Sequence, residues 1–356
     1  MRIAIDARMM GAGNTRGIGR YIKETVGALE ALGSEHEFVL LQPPIRWYTF
    51  AEQWKMPRVI REAKADVLWV PHWNVPILYR GPLVITIHDL LLRHQSQSAK
   101  ASTKNFVIVG LKRIGYRIAL WNALHQAKVI LVPSQEVARD VIAHYPFTKS
   151  KIVVTGEGVS RLTPHASHDM TPVSGPYIFY FGSAYPHKRL DLLLEMWSRL
   201  STKHPELSLV IGGEQDIFMS RVMDEAKRLN LPRAKFTGRL SDEDLATLLE
   251  HADAHVHPSS FEGFALPSLE ALSLGCPTVV ADIPVLRELL PEEGVFFFKN
   301  GDADDMLHAI EAVLANHDAA ASAARRGGEQ AAVRHNWNLV AKKTIDALCN
   351  AARLKK

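Results

Sequence analysis

The 356-residue chain has only two cysteines, Cys276 and Cys349, and it lacks a long apolar run. Two cysteines are too few for a disulfide framework or for a cysteine-based zinc site. No apolar stretch approaches the roughly 20 residues that span a bilayer, and the N-terminus leads into a strand-like segment rather than a secretory leader. We therefore expect a cytoplasmic protein that is not integral to the membrane.

A strong charge of one sign is also missing. The 42 Lys and Arg residues against 38 Asp and Glu residues leave a net charge of only +4. This small excess, without a recognised nucleic-acid motif, argues against a nucleic-acid partner. The 47% hydrophobic and 22% charged composition is that of an ordinary globular protein. At roughly 100–200 residues per domain, the length favours two domains.

The chain does have a regular alternation of short β-branched or aromatic runs with amphipathic stretches, which is typical of βα units around parallel sheets. The sequence predicts strands over residues 2–7, 37–41, 66–70, 83–87, 128–132, 152–155, 177–181, 207–211, 235–237, 254–257, 278–281 and 295–298. Residues 156–176 have the composition of a linker. We predict an α/β protein with two doubly wound domains, residues 1–165 and 166–336. A C-terminal helix, within residues 337–356, is expected to pack across their junction.

The densest motif runs from His257 through Glu262 to Glu270, from a strand end through a loop into a helix that begins at Leu266. Backbone N–H groups at such a helix start, with the helix dipole, favour a phosphate. Glu262 could then bond sugar hydroxyls, and Glu270 could bond a ribose. The simpler interpretation is a capped helix with two solvated glutamates, because short motifs often arise by chance.

This motif resembles the hallmark of the retaining GT-B glycosyltransferases of family 4 (group 1): two glutamates separated by seven residues. Two segments, Gly17-Ile-Gly-Arg-Tyr and Ser259-Ser-Phe-Glu-Gly-Phe, resemble the mannosyltransferase branch of that family. The resemblance covers nearly the whole chain. Further matches, in family order, are Gly17-Ile-Gly19-Arg-Tyr, Ile87-His88-Asp89-Leu, Val132-Pro-Ser134, Gly182-x5-Lys188, Ile211-Gly-Gly213, Thr237-Gly-Arg239-Leu240 and Gly275-Cys-Pro-Thr-Val.

The resemblance implies two Rossmann-like domains that face a cleft, the first for the acceptor and the second for a nucleotide-sugar donor. It implies a catalytic set of His88, Lys188 and Glu262, in which Lys188 neutralises the donor diphosphate. Donor-binding residues would be Gly17, Gly19, Gly182, Ser183, Lys188, Arg189, Arg239, Leu240, Gly263, Phe264, Ala265, Leu266 and Glu270. Ser183 stands where the family commonly has an arginine, and Arg189 could supply that cation if it points the same way as Lys188.

In the first domain, His72 and Asp89 are the acceptor-side candidates. Asp89 is equally compatible with a helix cap, and His88 with a core histidine bonded to a backbone carbonyl. His251, His255 and His257 are crowded in sequence, and the last two share a strand face. No carboxylate or thiolate evidently completes a tetrahedral set, so we predict no metal site and no cofactor.

Residues 90–135 contain no Asp or Glu but seven Lys and Arg residues. On a helix, Val107, Leu111, Ile114, Ile118 and Trp121 form one apolar stripe. The ordinary interpretation is a stripe that faces the core, with a solvated basic back. The alternative is a surface that contacts anionic lipid, or a lipid-linked acceptor, at the inner face of the plasma membrane.

The predicted function is retaining transfer of a sugar to a hydroxyl of a glycan or lipid-linked glycan, as in bacterial polysaccharide or lipopolysaccharide synthesis. GDP-mannose is the first choice of donor and a UDP-sugar the second, and no divalent metal is required. A GT-B sugar-nucleotide epimerase or phosphorylase would share the architecture. A non-catalytic protein that binds membranes or polyanions is the other alternative, because the isoelectric point is basic.

Overall fold

The computed structural model describes residues 1–10, 17–33, 35–94, 106–160, 162–165 and 173–354, with only the backbone of 106–113. The chain forms two compact units. The first contains Met1–Gly158 together with His335–Lys356, and the second contains Val159–Arg334. The predicted boundary near residue 165 lies a few residues inside the second unit.

The first unit is built on a parallel six-stranded sheet with the strand order β2-β1-β3-β4-β5-β6. Its strands are β1 (Arg2–Asp6), β2 (Glu37–Leu41), β3 (Val67–Val70), β4 (Leu83–Thr86), β5 (Val129–Val132) and β6 (Ile152–Val154). Its helices are α1 (Ile18–Ala31), α2 (Phe50–Glu62), α3 (Leu91–His94), α4 (Phe106–Gln126), α5 (Gln135–His144) and, at the C-terminus, α13 (Trp337–Arg353).

The second unit has a parallel six-stranded sheet with the order β12-β11-β10-β7-β8-β9. Its strands are β7 (Tyr177–Phe181), β8 (Ser208–Gly212), β9 (Ala234–Gly238), β10 (Ala254–His257), β11 (Thr278–Ala281) and β12 (Val295–Phe298). Its helices are α6 (Leu190–Lys203), α7 (Ile217–Arg228), α8 (Asp242–Glu250), α9 (Leu266–Ser273), α10 (Pro284–Leu289), α11 (Ala303–Ala315) and α12 (His317–Arg334).

The predicted α/β class and all twelve predicted strands are confirmed, with strand ends that differ by no more than one residue. The strands could be predicted because most are buried along their whole length, as all residues of β3 and β7 are. Parallel strands covered on both faces are near-continuous apolar runs, and these are easy to recognise in a sequence.

Each sheet has one point at which the direction of strand addition reverses, between β1 and β3 in the first unit and between β7 and β10 in the second. In open doubly wound sheets, ligands bind outside the carboxyl ends of the two strands at this switch point. The loops that follow these four strands are therefore the places to look for a site.

Helix α13 begins at Trp337 and ends at Arg353, as predicted. It follows the second unit in sequence but packs in the first, on α1 and on the sheet at β3, β4 and β5. Its apolar face is buried, with Val340, Ala341, Ala347, Leu348 and Ala351 at most 3% exposed. A side chain at Gly158 would clash with Trp337, since a Cβ there would lie 2.4 Å from the indole ring.

The core-facing stripe predicted for α4 is wrong. Ile114, Ile118 and Trp121 are each more than half exposed. The residues that pack in the core are instead Leu120, Ala123 and Leu124 of α4 and Ala127 just after it, all at most 1% exposed. The helix is apolar on two opposite faces, and the face with the small alanines allows closer packing on the sheet. The side chains of Val107 and Leu111, and residues Lys100 and Lys104 of the basic segment, lie outside the described part of the structure.

Among the described residues, none of the helices combines the length and the apolar character that crossing a bilayer demands.

Candidate active site

The centre of the candidate site is an ion pair between the loops that follow β7 and β10, the two strands at the switch point of the second unit. Lys188 Nζ donates to Glu262 Oε1 at 2.6 Å, and both side chains are largely buried. Lys188 ends a short 3-10 helix, Pro186–Lys188. The two loops are also joined through the backbone, because the Ser260 N–H donates to the carbonyl of His187 at 2.8 Å.

His257, the last residue of β10, adds a second contact to the same carboxylate oxygen. Its Nε2 lies 2.7 Å from Glu262 Oε1, and its Nδ1 lies 2.7 Å from the hydroxyl of Ser268 in the first turn of α9. The imidazole is only 2% exposed. Because Glu262 accepts from both Lys188 and His257, its carboxylate is fixed before any ligand binds.

The electrostatics keep Glu262 ionised. Burial would raise its pKa, but the charge of Lys188 and the hydrogen bond from His257 lower it well below its ordinary value. Burial together with Lys188 lowers the pKa of the neighbouring His187 to about 4. At neutral pH, Glu262 is therefore ionised and His187 is uncharged.

Three glycine-containing strand ends, those of β7, β8 and β9, lie side by side at the edge of the sheet where the Lys188 loop begins. Gly182 follows β7 with φ of 143°, and its N–H donates to the Gly212 carbonyl at the end of β8. A Cβ on Gly213 would lie 2.1 Å from the Gly182 carbonyl oxygen, so only glycine fits there. The Leu240 side chain lies over Gly212, since a Cβ on Gly212 would lie 2.8 Å from Leu240 Cδ1. Arg239, which precedes Leu240, is exposed.

Helix α9 presents its N-terminus next to the Glu262 loop. Ala265 occupies the N-cap and has no side chain that can accept from the first N–H groups. Gly263, Phe264, Ala265 and Leu266 connect Glu262 to this helix start, and Phe264 and Ala265 are buried. Glu270, one turn into α9, is 3% exposed. Uncapped N–H groups at a helix start are suited to bind an anion.

Arg189 is directed differently from Lys188. Its Nε donates to both carboxylate oxygens of Asp191, at 3.1 and 3.2 Å, and its backbone is left-handed, with φ of 52°. Ser183 contributes its carbonyl, which accepts from the Tyr180 hydroxyl at 2.6 Å. The structure therefore brings Lys188 and Glu262 together, and it does not bring Arg189 to them.

In the first unit, His88 follows β4 and uses both ring nitrogens. Nδ1 lies 3.0 Å from Glu157 Oε1, after β6, and Nε2 lies 3.1 Å from the carbonyl of Pro71, after β3. Burial would lower the pKa of His88, but the hydrogen bond and charge of Glu157 raise it above its ordinary value. With two acceptors, the ring is best satisfied as an imidazolium that donates twice. The Tyr21 ring packs edge-on against it at 4.8 Å.

The switch point of the first unit holds a buried polar network. Arg8 donates to Asp6 at 2.6 Å and to Glu52 at 2.8 Å, and Asn74 donates to the same Glu52. His72 lies beside this network. Its pKa is lowered to about 3 by burial and by the positive charges of His88 and Arg8. Asp6, His72 and Asn74 line a small cavity with Met9, Ile22, Trp47, Val70 and Pro71.

Three other sequence candidates of the first unit have local roles. Asp89 caps α3, because its Oδ1 accepts from the Leu91 N–H at 2.8 Å. Gly17 is the N-cap of α1 with φ of 63°, and Gly19 is buried in the first turn of that helix.

The histidines that are crowded in sequence do not form a metal site with Glu262. Although His255 and His257 are 5.9 Å apart between ring centroids, Lys188 already occupies the Glu262 oxygen that His257 contacts. In the part of the chain that can be described, metal-ligand geometry is found for one group, His94, Asp140 and His144. There the Asp140 carboxylate contacts both histidines near the surface of the first unit.

The sequence analysis did not predict the residues that form hydrogen bonds with the predicted site residues. Glu157, which contacts His88, follows β6 at a carboxyl strand end, and that position is a usable signal. For His257, sequence reasoning considered a metal site, predicted none, and did not predict its contact with Glu262. The pairing of Arg8 with Glu52 joins residues 44 positions apart, and no local pattern indicates it.

Two family profiles match the sequence in the same order as the two units. "Glycosyltransferase Family 4" matches residues 31–161, and "Glycosyl transferases group 1" matches residues 170–330. Together they account for most of the chain. The chain belongs to family 4 of the glycosyltransferases. This glycosyltransferase is therefore an enzyme of the hexosyltransferase class that uses a nucleotide sugar, and the non-catalytic alternative is set aside.

Relatives of this glycosyltransferase have names that describe different reactions. O-antigen chain mannosyltransferase B of Escherichia coli is 28% identical over 93% of this chain and 95% of its own length. Glycogen synthase of Mycobacterium tuberculosis is 26% identical over 93% of this chain and 82% of its own. The crystal structure of Anabaena Alr3699/HepE in complex with UDP and glucose has a TM-score of 0.74 at 17% identity, over 98% of this chain and all of that one. Its likeness confirms the GT-B fold.

Proposed function

We propose that this glycosyltransferase transfers mannose from GDP-mannose, with retention of configuration, to a hydroxyl of a glycan or lipid-linked glycan. The observation that carries the proposal is the Lys188–Glu262 ion pair at the switch point of the second unit, beside the N-terminus of α9. A cation, a fixed carboxylate and helix-start N–H groups are the three kinds of group that a sugar diphosphate needs.

Lys188 is the proposed ligand of the donor diphosphate. Glycosyl transfer releases a nucleoside diphosphate, whose developing charge must be stabilised by a cation or by N–H groups. In the unliganded protein the ammonium is held by Glu262 at 2.6 Å. A diphosphate competes for this ammonium because it carries more negative charge than one carboxylate. The N–H groups at the start of α9 also stabilise the negative charge of the diphosphate. The proposed chemistry therefore needs no divalent ion.

Glu262 is then released to accept hydrogen bonds from the donor sugar. His257 continues to hold it, through a 2.7 Å contact, in the orientation seen without ligand. The low pKa of Glu262 means that it offers acceptor oxygens only. Glu270, buried one turn into α9, is the proposed contact of the ribose.

The first unit is proposed to bind the acceptor near His72 and to contribute a fixed positive charge through His88. Both nitrogens of His88 are already bonded, so this ring is not available as the base that removes the acceptor proton. In a same-face reaction the departing phosphate oxygen takes that proton. The protein then accelerates the reaction by positioning and by electrostatic stabilisation.

The mannose assignment is supported by the Escherichia coli mannosyltransferase B relative. A second candidate, glucose from a UDP donor, is supported by the glycogen synthase relative and by the UDP and glucose bound to the Anabaena structure. Thermal unfolding with four ligands, GDP, GDP-mannose, UDP and UDP-glucose, distinguishes the two donors. A ligand at 100 times its dissociation constant adds about 2.7 kcal/mol of stability, which a thermal-unfolding midpoint resolves. We expect the two guanine ligands to raise the midpoint; a response to the uracil ligands alone would favour glucose.

The role of Lys188 is tested by Lys188→Ala. We expect kcat to fall at least about 100-fold, the usual effect of removing a group that stabilises a developing oxyanion. Lys203→Ala is the matched control, because Lys203 pairs with Glu311 at 2.8 Å on the surface of the same unit. Equal activities of the two variants, with unchanged binding of nucleoside diphosphates, would contradict the proposal.

A further inference from the structure

Helix α4 exposes a stripe of large apolar side chains on three successive turns. Ile114, Ile118 and Trp121 are 56%, 56% and 52% exposed. At its C-terminal end the stripe continues into rings in close, tilted contact, with Trp121 and His125 centroids 3.7 Å apart and His125 and Phe147 centroids 3.9 Å apart. Other residues of α4 pack in the core, so the exposed stripe is not part of the core.

Helix α2 exposes a second set of rings. Phe50 is 90% exposed and Trp54 is 73% exposed, and both lie on one face of the helix. The inward face of α2 packs through Met56 and Ile60. Trp54 and Trp121 are the two tryptophans of the described chain that are strongly exposed, and both belong to the first unit.

The loop after β3 links the two helices. The Ile77 N–H donates to Gln53 Oε1 of α2 at 2.7 Å, and the Ile77 carbonyl accepts from Gln126 Nε2 of α4 at 3.1 Å. Ile77 and Leu78 are themselves exposed. We call this set the α2–α4 surface: Phe50 and Trp54, Ile77 and Leu78, and Ile114, Ile118 and Trp121.

The charges around the α2–α4 surface are overwhelmingly positive. Arg61, Lys64 and Arg80 line a cavity together with apolar residues such as Leu78 and Pro57, and the lining includes no carboxylate. Arg58 and Arg117 are exposed on α2 and α4. In the part of the chain that the structure describes, none of these five cations pairs with a carboxylate. Glu62 is the acidic residue near the end of α2, and residues 90–135 contribute none.

We propose that the α2–α4 surface docks the first unit onto an anionic lipid bilayer. The indole rings and aliphatic side chains enter the boundary between headgroups and acyl chains, where amphipathic aromatic rings are most stable. The guanidinium and ammonium groups contact lipid phosphates. Each basic residue near such a surface strengthens binding about fivefold at physiological salt.

The charge pattern favours a membrane over a second copy of the chain. Two copies that met through this surface would bring cations against cations, whereas an anionic bilayer neutralises all of them at once. The inference extends the proposed function without depending on it, because vesicle binding can be measured without donor or acceptor.

Flotation with vesicles tests the proposal. We expect the intact protein to float with vesicles that contain phosphatidylglycerol, not with vesicles of phosphatidylcholine alone, and to be released by high salt. The double variant Trp54→Ser with Trp121→Ser should weaken vesicle binding more than about tenfold. The double variant Arg58→Ala with Arg61→Ala should weaken it about 25-fold, or fivefold for each charge.

Matched controls come from α7 of the second unit, where Ile217 is 61% exposed and Lys227 is exposed. Ile217→Ser and Lys227→Ala should bind vesicles like the wild type. All substituted residues are exposed, and equal thermal-unfolding midpoints would establish that the variants fold. Failure of the folded wild type to float, or equal losses in test and control variants, would overturn the proposal. Conversion of a dimer to a monomer by the tryptophan variant, without vesicle binding, would identify a self-interface instead.

Discussion

At the scale of single residues, the site depends on side chains that hold other side chains. Lys188 and Glu262 could be predicted from the sequence because they lie in motifs after strands. Their mutual 2.6 Å contact could not, since it joins residues 74 positions apart. His257 and Glu157 are similar cases: their residue types are common, and only the fold shows that each contacts a predicted residue.

The clearest prediction at this scale concerns Glu157. The folded protein raises the pKa of His88 above its unfolded value, through Glu157 and despite burial. Protonation of His88 therefore stabilises the fold fully below about pH 6.5, and this stabilisation is lost as the pH rises through the folded pKa. Glu157→Gln should cost about 1.5–3 kcal/mol at pH 5.5, the usual value of a hydrogen bond to a charged group. At pH 9 the cost should be smaller.

Urea unfolding of wild type and variant at both pH values measures this difference, and a histidine NMR titration should show a lower pKa of His88 in the variant. The control is Glu136→Gln, which removes an exposed ion pair with Arg139. That change should cost at most about 1 kcal/mol, without the same pH dependence. A cost for Glu157→Gln that is equal at pH 5.5 and pH 9 would show that His88 is not held as a cation.

At the scale of elements, the candidate site lies at the carboxyl ends of strands in the second unit. The backbones there are so close together that side chains larger than glycine do not fit at some positions. The ends of β7, β8 and β9 are linked by N–H donors from Gly182 to Gly212 and from Gly213 to Gly238. Gly213→Ala would push a methyl group to 2.1 Å from the Gly182 carbonyl. Because the obstacle is backbone, the β7 loop must move. We expect a loss of about 1–3 kcal/mol in unfolding free energy together with weaker binding of nucleoside diphosphate.

The same chemical change at Gly27 is the control. Gly27 is exposed in the middle of α1, and a methyl group added there would meet no atom within 4 Å. Gly27→Ala should therefore stabilise the protein by about 0.5–1 kcal/mol. Thermal unfolding and nucleotide titration of both variants check the pair of predictions. Two variants with the same sign of stability change would contradict this account of the strand ends.

Helix α4 shows where prediction at the element scale fails. Its presence could be predicted, because apolar residues recur at helical spacing from Val107 to Trp121, in spite of Gly110 and Gly115. Its orientation could not, because a helix that is apolar on two faces has no single amphipathic period. Packing decides the orientation: Leu120, Ala123 and Leu124 pack in the core, while Ile118 and Trp121 remain exposed.

At the scale of the whole molecule, the sequence predicts two doubly wound sheets because most strands are short buried runs and helices alternate with them along the chain. It also predicts the last helix, whose bounds agree with the structure. What it does not give is how strongly the first unit depends on that helix. Trp337 packs against Gly158, and its ring centroid lies 6.1 Å from that of Tyr21. The C-terminal helix and the N-terminal elements β1 and α1 therefore contribute to the same core.

Leu348→Ala tests this dependence. Leu348 is fully buried against the first unit, so its truncation should cost about 2–5 kcal/mol. Because α13 packs on α1 and on β3–β5, amide exchange should accelerate in those elements, while β7 and β8 of the second unit keep their protection. Leu339→Ala, on the same helix but 49% exposed, should leave both units unchanged. Hydrogen exchange followed by mass spectrometry separates the outcomes, and acceleration confined to the second unit would mean that the C-terminal helix supports the part of the chain that precedes it in sequence.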